Sequence, residues 1–140
     1  MKYLLDTCAI SELVAKRPQQ NVLDWLDQLD PAGLYLSVIT IGEIRKGIEK
    51  LPDSARRDTL QNWLTGELLV RFEGQILPID TAVSLAWGRL AGALEADGKK
   101  MAAIDSLIAA TAIHNHCTLV TRNESDFKYT GVTVVNPWKE

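Results

Sequence analysis

The stretch Ala102-Ala103-Ile104-Asp105-Ser106-Leu107-Ile108-Ala109-Ala110-Thr111-Ala112-Ile113, followed after a polar break by Leu119-Val120-Thr121, decides the fold. Its first part has apolar residues on nearly every side of a helix, and such a helix is buried almost all round. Its second part is a short β-type run bounded by polar residues. The rest of the chain repeats this alternation. Further β-type runs occur at Tyr3 to Leu5, Leu34 to Leu36, Ile76 to Ile79 and Val132 to Val135. Between them lie helical stripes: Val22, Leu26 and Leu29 with Trp25 beside them; Ile41, Ile44, Ile48 and Leu51; Leu60, Trp63, Leu64 and Leu68; Val83, Trp87, Leu90 and Leu94. Three of the four tryptophans sit on or beside these stripes, so they read as packing rather than as stacking platforms. Strands separated by helices connect through right-handed crossovers. The expected fold is therefore α/β, a three-layer α/β/α sandwich around a parallel sheet of about five strands. Pro78 lies inside the third run and has no N–H for a ladder, which puts that strand at an edge.

The 140 residues fit one domain, residues 1–140, and neither a repeat nor a long linker divides them. With 46% hydrophobic and 24% charged residues the chain has enough to bury for a core and too little for a membrane protein. The balance of 15 Lys+Arg against 18 Asp+Glu, net −3, excludes a polybasic nucleic-acid binder but leaves a nuclease open, since the site of a nuclease is itself acidic. Tyr3-Leu4-Leu5 is apolar only until Asp6, far short of a signal-peptide core. Cys8 and Cys117 form no CxxC pair and read as reduced thiols, so the expected location is the cytoplasm, away from any membrane.

In a parallel sheet, ligands gather beyond the carboxyl ends of the strands, where strand order reverses. Asp6 follows the first run directly, and Glu43 lies in the helix entered from the second. Asp105 stands near the start of the buried helix, and Asp126 lies in the loop after the fourth run. These acids from distant segments converge on one rim. Grouped carboxylates raise one another's pKa unless a cation joins them. Hard oxygen ligands without Cys or His favour Mg²⁺ or Mn²⁺ over Zn²⁺. Structural roles are also open to these residues. Asp6 suits the N-cap of a short helix beginning near Ala9, Thr40-Ile41-Gly42-Glu43 has the capping-box pattern, and Asp105 suits an N-cap. Gly47, one turn beyond Glu43, leaves room beside it for an ion or substrate. His114-Asn115-His116-Cys117 looks like a zinc half-site, yet residues two apart on a helix do not face the same way. It reads instead as a helix end whose imidazoles face the last carbonyls.

The segments Leu4 to Leu13, Leu36 to Gly47, Ile104 to Ala112 and Val120 to Asn123, in this order and spacing, resemble the PIN-domain family, and within it the VapC and FitB type toxins. Asn136-Pro137-Trp138 after the last run resembles the FitB-like branch. The resemblance implies a PIN-like fold, a Mg²⁺-dependent endoribonuclease activity, a homodimer and a small cognate VapB-like antitoxin. It makes Asp6 and Asp105 the core metal ligands and Glu43 the third acid. Cys8 departs from the family, which usually has Asn directly after Asp-Thr. The family's fourth acid often falls directly after Thr-Arg, where this chain has Asn123; Asn123, Asp126 or Glu124 fills that role. Thr7 and Asn123 are expected to position water or substrate. Arg45, Lys46 and Lys50, with Arg122 beside the fourth run, are the candidates for binding RNA, single-stranded or looped RNA being the accessible class. Other readings are a housekeeping PIN nuclease in RNA processing and a non-catalytic PIN-like module that binds RNA or protein. Asp6-Thr7 also resembles phosphatases with an aspartyl nucleophile, but these carry a second Asp where this chain has Cys8.

Overall fold

In the computed structural model, which describes residues 1–139, β1 (Tyr3–Leu5), β2 (Leu34–Ser37), β3 (Ile76–Leu77), β4 (Thr118–Val120) and β5 (Val134–Val135) form one sheet. The order is β3-β2-β1-β4-β5, and every neighbouring pair is parallel. The chain moves outward from β1 to β3, then returns to lay β4 on the other side of β1. Strand order therefore reverses between β1 and β4. The helices are α1 (Thr7–Glu12), α2 (Gln20–Asp27), α3 (Val38–Glu49), α4 (Ala55–Trp63), α5 (Leu69–Arg71), α6 (Thr81–Ala96) and α7 (Ala103–His114), with a π-helical turn, Leu64–Leu68, joining α4 to α5.

Side chains alternate across a pleated sheet, and here the alternation fills two cores. Leu5, Leu34, Leu36 and Val120 face one side, where they meet Val22 and Leu26 of α2, Ile48 of α3 and Leu64 and Leu68 of the π-helical turn. Leu4 and Leu119 face the other, against Ile108, Ala109 and Ala112 of α7 and Phe127. The sheet is thus the middle of three layers, as expected. Tyr3 and Trp25 meet edge to face, with ring centroids 5.6 Å apart, and the Trp87 indole N–H donates to Ser106 Oγ at 2.8 Å, tying α6 to α7. Both tryptophans serve packing.

The third strand does lie at an edge, but it stops at Leu77, so Pro78 follows the strand instead of lying inside it. The missing N–H ends the pairing there. The helix α7 is buried through Ser106 and Ile108 to Ala112, while Ala103, Ile113 and His114 at its ends are exposed. Beyond it, Asn115, His116 and Cys117 donate their backbone N–H groups to the carbonyls of Thr111, Ile113 and Ala112, with His116 in the left-handed region at φ 58°. The segment is a helix end, but backbone amides, not imidazoles, meet the last carbonyls. Among the described residues, no helix is long and apolar enough to cross a membrane.

Candidate active site

Asp6 is placed by the end of β1. Its backbone N–H extends the ladder to Val120 at 3.0 Å, and its extended backbone begins α1 at Thr7, earlier than the expected Ala9. The carboxylate is buried. Oδ1 accepts the Thr7 N–H at 2.8 Å, and Oδ2 accepts the Thr121 hydroxyl at 2.8 Å. Asp6 therefore does cap a helix, yet one of its oxygens is aimed across the sheet at the end of β4. Thr121 is fully buried, and its oxygen also receives the Asn123 N–H at 3.1 Å. A single hydroxyl thus spans the point where strand order reverses. The Cys8 thiol completes this corner, 3.6 Å from Thr121 Oγ1 and accepting the Arg122 N–H at 3.5 Å. Burial, with the Asp6 charge behind it, pushes the thiol above its ordinary range, so it stands here as neutral S–H.

Glu43 is reached from β2. Ser37, not Thr40, is the N-cap of α3, its hydroxyl accepting the Ile39 N–H at 3.2 Å. The capping-box pattern is thus not used: Thr40 lies inside the helix with its buried hydroxyl unpartnered. Glu43 is instead held from outside its helix, accepting the Thr7 hydroxyl at 2.6 Å.

Asp105 sits in the first turn of α7, whose N-cap is Ala102, so it is not a cap. Its carboxyl is held above the ordinary range, first by burial and then by the negative charges of Asp6, Asp126 and Glu43. The other three acids thus each lie within electrostatic reach of Asp105. Among the contenders for the fourth position, Asp126 lines a cavity of about 250 Å³ together with Asp105. Glu124 turns the other way, accepting from Asn136 Nδ2 at 3.0 Å and Lys139 Nζ at 2.8 Å. Asn123 leads into the 3-10 turn Glu124–Phe127 and its side chain is exposed.

Two of the expected RNA contacts are engaged elsewhere. Arg45 pairs with Glu49 at 2.7 Å along α3. Arg122 reaches Glu12 at 3.2 Å and lies 4.8 Å over the Trp138 ring. Lys46 and Lys50 are exposed and form no ion pair among the described residues. Glu12 was not foreseen as part of the architecture. It is buried at the end of α1 and also accepts the Gln19 N–H at 2.8 Å and the Trp138 indole N–H at 3.2 Å. Asn136 joins the same knot, donating to the Arg122 carbonyl at 3.3 Å. The last turn of the chain is thereby tied to the loop that carries Asn123 and Asp126. The sequence hint was Asn136-Pro137-Trp138 itself.

The donors at this rim are carboxylate oxygens, a set suited to a hard divalent cation. The strain of like charges at Asp105 is what such a cation relieves. Among the described residues, no three Asp, Glu, His or Cys side chains are close enough as placed to share one ion. Pairs of carboxylates with waters completing the shell are the arrangement Mg²⁺ favours. On the other side of Thr7 and Glu43, a cavity of about 260 Å³ is walled by Val14, Ile44, Ile48, Leu60 and Trp63. Gly47 borders it, and a methyl group added there meets nothing within 4 Å, so the expected room beside Glu43 exists and is apolar.

A family model described as PIN domain matches residues 3–132. VapC ribonuclease Y4jK of Sinorhizobium fredii is 38% identical over 136 residues, which cover 97% of both chains. Toxin FitB of Neisseria gonorrhoeae is 37% identical over 98% of this chain and 99% of its own. The crystal structure of FitAcB from Neisseria gonorrhoeae superposes with a TM-score of 0.93 at 37% identity, covering 99% of each chain. Fold, sheet order and sequence agree: the chain belongs to the PIN-domain family, among its VapC/FitB-like toxins.

Proposed function

We propose that this chain is a Mg²⁺-dependent endoribonuclease, Mn²⁺ being able to substitute, and the toxic component of a type II toxin-antitoxin pair. The observation that carries the reading is geometric: Thr7 binds the carboxylates of both Asp6 and Glu43, and Asp105 and Asp126 line one cavity, with Asp105 within electrostatic reach of the other three acids. Asp6 and Asp105 hold the ion, with Glu43 as third acid and Asp126 as fourth. When bound, the ion supplies an activated water and absorbs charge on the phosphodiester. The remaining work belongs to the protein. Thr121 and the Thr7 N–H fix both oxygens of Asp6, the Thr7 hydroxyl fixes the Glu43 carboxylate, and the exposed Asn123 amide is free to orient water or substrate. Single-stranded or looped RNA suits an open rim of this kind.

The apolar cavity beside Glu43 suits the partner. A small antitoxin can lay an apolar segment against Ile44, Leu60 and Trp63 and present a basic side chain to the acids, since a guanidinium matches a carboxylate bidentately. The toxin is expected to work as a homodimer in the cytoplasm.

Purified protein incubated with structured RNAs is expected to cut them with Mg²⁺ and not with EDTA. Asp6→Asn and Asp105→Asn each abolish cutting, and full activity in either variant overturns the metal assignment. Mapping of RNA 5′ ends after induced expression identifies the target.

A further inference from the structure

The basic residues on α3 do not border the cavity that holds Asp105 and Asp126; a different set does. Lys99, Lys100 and Tyr129 line that cavity, between α6 and the loop after β4. Tyr129 is 56% exposed, so a face of its ring is open to a ligand. Lys99 Nζ lies 4.8 Å and Lys128 Nζ 4.9 Å from its ring centroid. None of these lysines forms an ion pair among the described residues; Arg45 and Arg122 are engaged by carboxylates, and Lys46 and Lys50, also unpaired, do not line this cavity. We infer that Tyr129 with Lys99, Lys100 and Lys128 forms a nucleotide subsite beside Asp105 and Asp126, a base stacking on the ring and the adjoining phosphates meeting the ammonium groups.

The physical case rests on contrast. A rim of carboxylates repels a polyanion, so the substrate needs compensating charge on at least one flank of the acids. The flank beside Glu43 is apolar, and the flank beside Asp105 is cationic and aromatic. An ammonium resting over an exposed aromatic ring is held only weakly. A base that stacks on Tyr129 displaces one lysine from the ring and leaves it next to the phosphate of the same nucleotide. Stacking accepts every base, so this subsite adds affinity and position more than sequence choice.

The inference rests on the nuclease reading, and binding separates the two. A fluorescently labelled single-stranded RNA of mixed sequence is titrated with the full chain in EDTA, where nothing is cut. Tyr129→Ala is expected to weaken binding about tenfold, and Tyr129→Phe, which keeps the ring, to retain it. Lys99→Gln and Lys100→Gln each reduce the slope of log affinity against log salt by about 0.7. Unchanged melting temperatures verify folding. If the parent protein cuts RNA while Tyr129→Ala and both lysine variants bind as it does, the subsite falls and the nuclease stands. A parent protein that neither binds nor cuts RNA overturns both.

Discussion

Thr7 and Glu43, 36 positions apart, share a 2.6 Å hydrogen bond that joins the helix leaving β1 to the helix leaving β2. A hydroxyl donating to a carboxylate is a charge-assisted bond worth about 1.5–3 kcal/mol. Thr7→Val keeps the shape and removes the donor, leaving Glu43 free to turn into the apolar cavity. RNA cleavage is expected to fall about tenfold or more, while Thr7→Ser keeps most of it. Steady-state rates of the two variants measured side by side check this.

The pH dependence of stability follows from Asp105. Its carboxyl is raised in the folded protein, by burial and then by the other acids, so in metal-free solution the fold binds more protons than the unfolded chain above the ordinary carboxylate range. Stability then falls as pH rises through the window between the unfolded and the raised value. Glu124, held below its ordinary range by Lys139 and then Asn136, acts in the opposite sense at lower pH. The contribution of Asp105 is therefore read as a difference. Melting curves in EDTA are expected to lose this decline in Asp105→Asn, which melts higher than the parent above the window. Mg²⁺ raises the melting temperature of the parent and not of the variant.

The knot around Glu12 predicts a structural phenotype. Glu12→Ala strips the Gln19 N–H and the Trp138 indole of their acceptor and Arg122 of its partner. The loss is expected to be about 2 kcal/mol, a fall in Tm of about 6 °C by calorimetry. Arg122→Ala, removing a half-exposed partner, costs less than half of that.

Gly47 predicts a gain. It lies within α3 with open space where a Cβ would stand, so Gly47→Ala is expected to stabilise by about 0.5–1 kcal/mol through helix propensity alone. Gly47→Leu extends into the apolar cavity and is expected to weaken antitoxin binding without lowering Tm. Thermal melts and a pull-down against the co-expressed antitoxin test the pair.

Much of this was legible because it is local. The apolar circumference of α7 fixes its burial, and acids directly after strand ends fall at the sheet's carboxyl edge. The Thr40 capping box misled because Ser37, at the very end of β2, reaches the first free amides of α3 before Thr40 can. Glu12 was invisible for another reason: its partners Arg122 and Trp138 are 110 and 126 positions away, and an acid in a short helix reads as solvated. Among Asn123, Glu124 and Asp126, where Glu124 points depends on the path of the tail, which draws it toward Asn136 and Lys139. Lys99, Lys100 and Tyr129 carried no motif, and only the cavity brings them to Asp105.

The pairing of β1 with β4 has a temporal meaning. Tyr3 lies opposite Thr118, 115 positions later, and the hydroxyl that aligns Asp6 belongs to Thr121. A ribosome making this chain releases Asp6 from its exit tunnel well before Thr121, whose hydroxyl holds Oδ2 of that carboxylate, has been translated. The corner of the sheet that carries Asp6 is therefore assembled late, once β4 has emerged and paired with β1.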